Sequence, residues 1–217
     1  MRIAVLGTGM VGRAIAGRTA ELGHQVTVGT RDVATTRAGD WAGWATARPE
    51  VGLAGYAEAT ADAELVVNAT SGDGSLPALT AAGEDRLAGK VLLDIANPLD
   101  FSKGFPPTLS VANDDSLGER IQRAFPRTRV VKALNTLTAD LMIHPRQLAD
   151  GDHSVFVSGD DAEAKRVVIE LLTSFGHTDV IDLGDITTAR GTEMLLPIWL
   201  RLYGKLGTGI FNVKIVR

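Results

Sequence analysis

Three glycines near the start of the chain have the spacing of a nucleotide-binding turn. The segment Gly7-Thr8-Gly9-Met10-Val11-Gly12 follows an apolar run and precedes a stretch with helical periodicity. In such a turn the first glycine allows a tight bend, and the second lets the backbone approach a pyrophosphate. The third lets the helix pack closely on the strand, and the helix N-terminus attracts phosphate. Residues 7–12 therefore predict a dinucleotide site; the alternative is a glycine turn that binds no ligand.

The end of the second predicted strand indicates which dinucleotide binds. It reads Val28-Gly29-Thr30-Arg31-Asp32, whereas an NAD site usually places an acidic residue there, on the ribose 2′-hydroxyl. A hydroxyl followed by a guanidinium suits a 2′-phosphate, because arginine is a planar and permanently charged donor. We therefore predict NADP, bound by Thr30 and Arg31, with Arg37 as a further candidate cation. Two alternatives remain: Arg31 pairs with Asp32 at the surface, or Asp32 is itself the ribose acid.

Small and polar residues follow three more predicted strands, in Thr70-Ser71-Gly72-Asp73-Gly74, Ala96-Asn97-Pro98 and Asn135-Thr136-Leu137. Ligands of open parallel sheets bind outside the carboxyl ends of the strands. We therefore expect these loops and the glycine loop to surround one cleft. The residues predicted to contact the cofactor there are Thr70, Ser71, Ala96, Asn97 and Asn135. The alternative is ordinary turn chemistry, since glycine, serine, asparagine and proline all favour turns.

No residue pattern for acid–base, nucleophilic or metal catalysis is present. The chain contains no Tyr-x-x-x-Lys pair, no Gly-x-Ser-x-Gly segment and no cysteine. Its histidines lack metal-ligand spacing; they are His24, His144, His153 and His177. We therefore predict no catalytic side chain and no metal site. Hydride transfer between two stacked rings fits this pattern, because it depends mainly on proximity and orientation.

Two side chains have both a structural and a functional interpretation. Lys132 lies within the apolar run Val130–Leu134, where its stem can lie along apolar surface. The functional alternative directs its ammonium group to the cofactor or substrate. His153 follows Asp152 and is interpreted as a turn histidine, with an acid–base or metal role as the alternative.

Short β-rich runs alternate with helical stretches, which is typical of a parallel α/β sheet. The predicted strands are Ile3–Leu6, Gln25–Gly29, Leu65–Ala69, Val91–Ile95, Arg129–Ala133, Ser154–Val157 and Asp179–Asp182. The predicted helices are Met10–Leu22, Leu76–Leu87, Leu117–Phe125, Ala162–Phe175 and Thr187–Lys205. The fold class predicted is α/β, a Rossmann-type doubly wound and mostly parallel sheet. A C-terminal helical extension and a short tail strand complete it.

Several local signals mark the ends of these elements. Asp160 is a predicted N-cap, with Glu163 three residues on, and Gly176 ends the same helix. Pro197 is expected to break the final helix, and residues 211–215 alternate as an edge strand would. We divide the chain into an NADP-binding domain, residues 1–137, and a segment for substrate binding and dimerisation, residues 138–217, packed on the same sheet.

Composition limits the classes of partner. The 217 residues carry a net charge of −4, which argues against a nucleic-acid scaffold because phosphate contacts need a basic face. No apolar run approaches the roughly 18 residues of a membrane span, and residues 1–6 resemble a strand rather than a targeting signal. We expect a soluble, cytoplasmic protein whose partner is a small-molecule redox co-substrate. The apolar final helix suggests a homodimer, although such helices are more often core.

Taken together, these motifs resemble the NADPH-dependent reductases of coenzyme F-420 (F420), a deazaflavin. The likeness runs through Met1–Gly12, Leu22-Gly23-His24, Val28–Arg31, Val130–Thr136, Val157–Asp161, Leu196-Pro197-Ile198 and the tail Gly207-Thr208-Gly209 with Val213-Lys214. The resemblance implies that Thr8, Thr30 and Arg31 bind NADP. It also implies that Ser71, Asn135, Thr136, Leu137, Gly207 and Thr208 hold the deazaflavin against the nicotinamide. Family members transfer hydride directly and usually form homodimers.

The chain departs from this family on the acceptor side. Ser71-Gly72 stands where bulky residues are common, Asn135 stands where histidine is common, and Phe101 and Phe105 lie in a rearranged loop. These features favour the alternative of an NADPH-dependent reductase of another acceptor: a flavin, a quinone, or a small carbonyl or imine. A second alternative is a non-catalytic NADP-sensing protein.

Overall fold

Eight of the ten strands form one sheet in the computed structural model, which describes residues 1–217. The strands are β1 (Arg2–Leu6), β2 (Gln25–Thr30), β3 (Gly52–Gly55), β4 (Leu65–Asn68), β5 (Val91–Asp94), β6 (Leu99–Asp100), β7 (Thr108–Leu109), β8 (Arg129–Ala133), β9 (Ser154–Ser158) and β10 (Asp179–Asp182). The sheet order is β10-β9-β8-β5-β4-β1-β2-β3, and β6 pairs with β7 as a separate hairpin. Only the β8–β9 pair within the sheet is antiparallel.

Helices cover both faces of the sheet. They are α1 (Met10–Glu21), α2 (Val33–Ala38), α3 (Trp41–Thr46), α4 (Tyr56–Ala61), α5 (Gly72–Ala82), α6 (Glu84–Leu87), α7 (Leu117–Ala124), α8 (Ala139–Ile143), α9 (Ala162–Phe175), α10 (Ala189–Met194) and α11 (Leu196–Leu206). Single 3-10 turns lie at Pro145–Gln147, Ala149–Gly151 and Ile186–Thr188. No helix combines the length and the apolar character needed to cross a bilayer.

Each central strand contributes side chains to two separate cores. In β1, Ile3 and Val5 pack with α1, α3, α8 and α9, whereas Ala4 and Leu6 pack with α4 to α7 and α10. Successive side chains of a strand point to opposite faces, so a strand covered on both sides needs apolar residues at every position. This requirement explains the unbroken apolar runs of the sequence.

The predicted fold class is confirmed, and all seven predicted strands are present within one residue at either end. The strand β3 was not predicted, because Gly52-Leu53-Ala54-Gly55 has no β-branched residue and two glycines. The short helices α2, α3, α4 and α8 were also not predicted. Each has only five or six residues, which is too short for a clear apolar period.

Three local predictions need correction. Asp161, not Asp160, caps α9 by accepting the N–H of Ala164 at 2.7 Å, while Asp160 accepts the N–H of Ile186. The helix predicted at 76–87 begins at Gly72 and divides at Gly83, whose φ of +96° ends α5. The tail at 211–215 is not a strand.

That tail is nevertheless tied to the sheet. Its backbone contact is the bond from the Ser154 N–H to the Val213 carbonyl, while Ser154 Oγ accepts the N–H of Ile215. These bonds do not repeat along the strand, so no ladder forms. Two of the end signals agree with the structure: Gly176 ends α9 in the left-handed region, and the final helix breaks just before Pro197.

Candidate functional site

The glycine loop packs as closely as its motif predicts. Gly7 has a φ of +122°, and a Cβ there would lie 2.5 Å from the carbonyl oxygen of Ala69. A Cβ at Gly12 would lie 2.0 Å from the carbonyl oxygen of Gly7, so α1 can approach the turn only with glycine at this position. Gly9 is the N-cap of α1, and a Cβ there would meet no atom within 4 Å. The turn therefore presents bare backbone and the first N–H groups of α1 to the space in front of it.

A cavity of about 850 Å³ opens in front of this loop. The ends of β1, β2, β3 and β4 and the first turns of α4 and α5 form its walls, including Thr8, Gly9, Thr30, Arg31, Tyr56 and Thr70. We name it the nucleotide cavity. Burial raises the pKa of Tyr56, and the nearby charge of Arg31 offsets part of that effect. The cavity therefore combines a half-buried ring with helix N–H groups and a cation, and the latter two suit the phosphates of a dinucleotide.

The end of β2 separates the roles of Thr30, Arg31 and Asp32. Asp32 caps α2 and accepts the Thr35 N–H at 2.9 Å and the Thr35 hydroxyl at 3.0 Å. These bonds lower the pKa of Asp32. Asp32 does not line the cavity, nor does Arg37, whereas exposed Arg31 and buried Thr30 do. Arg31 is thus available for an anion, and Asp32 is neither its ion partner nor placed as a ribose acid.

A second cavity of about 290 Å³ adjoins the first, and we name it the acceptor cavity. The two share Ala69, Thr70, Ser71 and Asp73, between the end of β4 and the start of α5. The remaining walls come from distant segments, among them Val11, Ala96, Asn97, Phe101, Leu137 and Met142. Most of its lining is apolar, and Asp73 is its only titratable residue. The arrangement would suit a flat apolar ring beside the nicotinamide end of a dinucleotide.

The other predicted site residues lie outside both cavities. Asn135 and Thr136 are buried behind the acceptor cavity, where Asn135 donates to Asn97 Oδ1 and to the Thr192 carbonyl, both at 3.0 Å. Gly207 ends α11, and Thr208 beside it is exposed. Met10 is also exposed, on the outer side of α1. Direct contact of these residues with a ligand stays a prediction; Asn135 touches the site through Asn97.

The ammonium group of Lys132 points into neither cavity. It lies 2.8 Å from Asp94 Oδ2 and 2.8 Å from Glu193 Oε1, completely buried. Burial alone would lower the pKa of Lys132, but the charges and hydrogen bonds of Asp94 and Glu193 outweigh it and raise this pKa. Lys132 therefore carries its charge inside the protein rather than along the strand face.

His153 has a structural environment. Its Nδ1 accepts from the Asn212 amide at 2.8 Å, so its Nε2 carries the proton and donates to the Pro145 carbonyl at 3.0 Å. His177 lies beside it, with ring centroids 6.1 Å apart, and its Nε2 contacts the Met142 carbonyl at 2.9 Å. Burial lowers the pKa of His177 to about 4, so it is neutral at neutral pH. Together the two rings support the segment that carries Met142 into the acceptor cavity.

Several lining residues escaped the sequence interpretation. Tyr56 and Glu58 follow β3, so they were missed together with that strand. Phe101 was noted only as part of an irregular loop, but it lies beside the β6–β7 hairpin at the rim of the acceptor cavity. Met142 comes from the short helix α8. Their common signal is position after a carboxyl end of a strand, which could be used only once β3 and α8 were known.

The chain is similar to proteins described as F420-dependent NADP reductases. A family model described as "NADP oxidoreductase coenzyme F420-dependent" matches residues 2–98. A crystal structure of a candidate F420-dependent NADP-reductase from Arthrobacter sp. FB24 is 63% identical, with both chains fully covered and a TM-score of 0.98. The F420-dependent NADP reductase of Methanothermobacter thermautotrophicus is 29% identical over 93% of this chain and 89% of its own length.

Other similar proteins are matched over only part of their length or share only the fold. Rat metalloreductase STEAP3 is 31% identical over 97% of this chain, but the chain spans only 40% of its length. The chain likewise spans 58% of the F420-dependent NADP reductase of Methanocaldococcus jannaschii. An imine reductase from Aspergillus terreus, 19% identical with a TM-score of 0.64, shows the fold alone.

The fold is that of a Rossmann-type dinucleotide-binding protein, and the similar proteins place the chain in the oxidoreductase class. The relative from Arthrobacter, 63% identical over the full length of both chains, identifies the family within this class. The chain belongs to the F420-dependent NADP oxidoreductase family.

Proposed function

We propose that the protein transfers hydride between NADPH and coenzyme F420. The observation that carries this proposal is the pair of adjoining cavities, one with a cation and a bare glycine loop, the other small and mainly apolar. The shared wall at Ala69, Thr70, Ser71 and Asp73 would let a nicotinamide in the first cavity face a ring in the second. The F420-dependent NADP reductases to which the chain is similar support F420 as the acceptor.

The protein's contribution would be binding and orientation. The glycine loop and the start of α1 would hold the pyrophosphate, and Thr30 and Arg31 the 2′-phosphate. Thr70, Ser71, Ala96 and Asn97 would surround the nicotinamide half, with Leu137 on the acceptor side. NADPH, when bound, supplies the hydride. Closeness of the two rings is the main requirement of such a transfer.

The acceptor cavity favours a ring over a carbonyl or imine. Reduction of a carbonyl or an imine also requires a proton donor close to the reacting atom. Asp73 is the only titratable residue of that cavity, and it is exposed at the start of α5. A deazaflavin, flavin or quinone can exchange its proton with solvent, so these acceptors need no such residue.

The direct test is NADPH oxidation followed at 340 nm with purified protein and F420. NADH as donor, and FMN, a quinone and a cyclic imine as acceptors, are run beside it. We expect saturable turnover with NADPH and F420. NADPH binding with turnover of another acceptor alone would contradict the F420 assignment. NADPH binding without turnover of any acceptor would favour an NADP sensor.

We further propose that residues 138–217 form the substrate-binding and dimerisation segment of a cytoplasmic homodimer. Support comes from α11, which exposes large apolar side chains at Ile198, Leu202, Tyr203 and Leu206. Light scattering is expected to give twice the chain mass of 22.9 kDa. Leu202→Glu should reduce it to the chain mass, and a wild-type monomer would contradict the proposal.

A further inference from the structure

Four buried polar side chains cross the sheet directly beneath the two cavities. They are Asn68 at the end of β4, Asp94 at the end of β5, Lys132 on β8 and Glu193 on α10, each no more than 1% exposed. Buried charges and amides are costly unless every polar atom is paired. These residues are paired with one another and form a hydrogen-bond network, in which the donor and acceptor of each bond can be assigned.

The direction is set at the Glu193 end. Glu193 accepts the N–H groups of Leu117 and Gly118, in the first turn of α7, at 2.8 and 3.0 Å. It also accepts from Lys132, whose ammonium group donates to Asp94 and to the Ala96 carbonyl. A lysine is a donor only and an ionised carboxylate an acceptor only. Asp94 is thereby held as an acceptor facing Asn68.

The orientation of the Asn68 amide follows from this acceptor. Its Nδ2 lies 2.7 Å from Asp94 Oδ1 and 2.9 Å from Ser75 Oγ, so both of its N–H groups are used. The Ser75 hydroxyl donates its own proton to the Ser71 carbonyl at 3.0 Å, so Ser75 Oγ can accept from Asn68. Asn68 Oδ1 must therefore face Thr70.

Thr70 is the last residue of this network and the one that lines the cavities. Its Oγ1 lies 2.7 Å from Asn68 Oδ1, closer than the 3.2 Å that separate it from the Ser71 carbonyl and from Ser75 Oγ. Because the amide oxygen can only accept, we assign the single proton of Thr70 to this shortest bond. Towards the cavities, both of which it lines, Thr70 is left with lone pairs. A group that binds there must bring its own proton.

We propose that Glu193 and Lys132 are positioning residues that act through Asp94 and Asn68 to hold Thr70 as a hydrogen-bond acceptor for the nicotinamide half of NADP(H). The donor on the ligand is a ribose hydroxyl or the carboxamide N–H. This inference rests on the proposed function, since it assumes that NADP(H) occupies the nucleotide cavity. It assigns a task to a buried ion pair that neither cavity contacts.

Three ligands of increasing length separate the two donors. They are 2′,5′-ADP, 2′-phospho-ADP-ribose, which adds the second phosphate and the second ribose, and NADP⁺, which adds the nicotinamide. For Thr70→Val we expect unchanged binding of 2′,5′-ADP. A loss of about three- to tenfold, as for one hydrogen bond, should begin at 2′-phospho-ADP-ribose if the ribose donates, or at NADP⁺ if the carboxamide donates. Thr70→Ser keeps the hydroxyl and should restore the affinity.

Glu193→Gln tests the positioning role, and Glu119→Gln is its matched control. Glu119 is also a buried carboxylate between α7 and α10, but it pairs with Arg190 and has no path to Thr70. Glu193→Gln should weaken the same longer ligands as Thr70→Val and leave 2′,5′-ADP unchanged. Glu119→Gln should lower the melting temperature without changing the relative affinities of the three ligands.

Three results would overturn the inference. The first is a Thr70→Val variant that loses nothing, or loses equally for all three ligands. The second is the same affinity pattern in Glu193→Gln and Glu119→Gln, which would make the network merely structural. The third is a wild-type protein that binds 2′,5′-ADP and NADP⁺ equally, which would remove the nicotinamide subsite. Failure of the wild type to bind any of the three ligands would instead refute the proposed function, and the inference with it.

Discussion

The nucleotide cavity and the acceptor cavity are built in different ways. The first is lined entirely by residues between Gly7 and Ala81, within the part of the chain that matches the family model. The second gathers residues from Val11 to Met142, including a hairpin and a short helix. One cavity follows from consecutive βα units, whereas the other depends on long-range packing. The nucleotide cavity therefore depends mainly on local motifs, and the acceptor cavity on tertiary contacts.

The largest effect is expected from a substitution that disrupts the nucleotide cavity only. Gly12→Ala places a Cβ against the Gly7 carbonyl oxygen, so either the turn or α1 must shift. We expect destabilisation of about 3 kcal/mol or more, together with loss of NADPH binding. Chemical denaturation and calorimetry measure the two effects. Gly9→Ala is the control: its Cβ meets no protein atom, so it should fold normally and weaken only the ligand. Normal NADPH binding by Gly12→Ala would refute the close-packing argument.

A pH effect of similar size should act on the acceptor side. His177 supports the Met142 carbonyl, and burial lowers its pKa to about 4 from 6.5. Above pH 6.5 the histidine is neutral in both states, and the full stability is present. As the pH falls towards 4, the unfolded chain takes up the proton first, so the free energy of unfolding drops by up to about 3 kcal/mol.

Denaturation at several pH values measures this dependence. His177→Phe should flatten the curve between pH 6.5 and 4, and His144→Gln, at an exposed histidine, should not. Curves of equal slope for the wild type and His177→Phe would contradict the assignment.

The selectivity between NADPH and NADH tests the charged end of the nucleotide cavity. Arg31→Ala should weaken NADPH binding by about 1–3 kcal/mol, as expected for loss of a charge-assisted hydrogen bond, and barely affect NADH. Titration calorimetry with both cofactors gives the comparison. Arg37→Ala, on α2 outside the cavity, is the control. Equal losses for NADPH and NADH would move the 2′-phosphate to another residue.

The smallest expected effect sharpens the acceptor side. Phe101 is 59% exposed at the rim of the acceptor cavity, where an apolar ring of a ligand would cover it. Phe101→Ala should raise the KM for the acceptor about two- to tenfold and leave the KM for NADPH unchanged. Phe105 is the matched control, because it is 63% exposed but packs edge-on against Tyr203 instead. A change in the KM for NADPH would contradict this division of the site.

Whether a strand could be predicted from the sequence depended on how much of it is buried. Strands covered on both faces, such as Val91–Asp94, carry unbroken apolar runs and were found within a residue. The edge strand Gly52–Gly55 lies at the end of the sheet and has little side-chain surface to bury, so it carried no signal. Tyr56, which follows it into the nucleotide cavity, was lost for that reason.

The role of Lys132 could not be predicted from the residues around it in the sequence. Its apolar neighbours favoured a stem along a strand face, with the cofactor as the alternative target. The observed partners, Asp94 and Glu193, are 38 and 61 positions away in the chain. No spacing rule connects residues that far apart.

Short-range information was sufficient for the glycine turn, for Thr30 and Arg31, and for the buried strands. Each of these depends on residues within one βα unit, where chain connectivity keeps the partners together. The strand order β4-β5-β8 and the packing of α10 determine two other features: the position of Asn135 behind Asn97, and the hydrogen-bond network from Glu193 to Thr70. That order arises from pairing and burial between distant segments, so it is a property of the whole fold and not of any local run of residues.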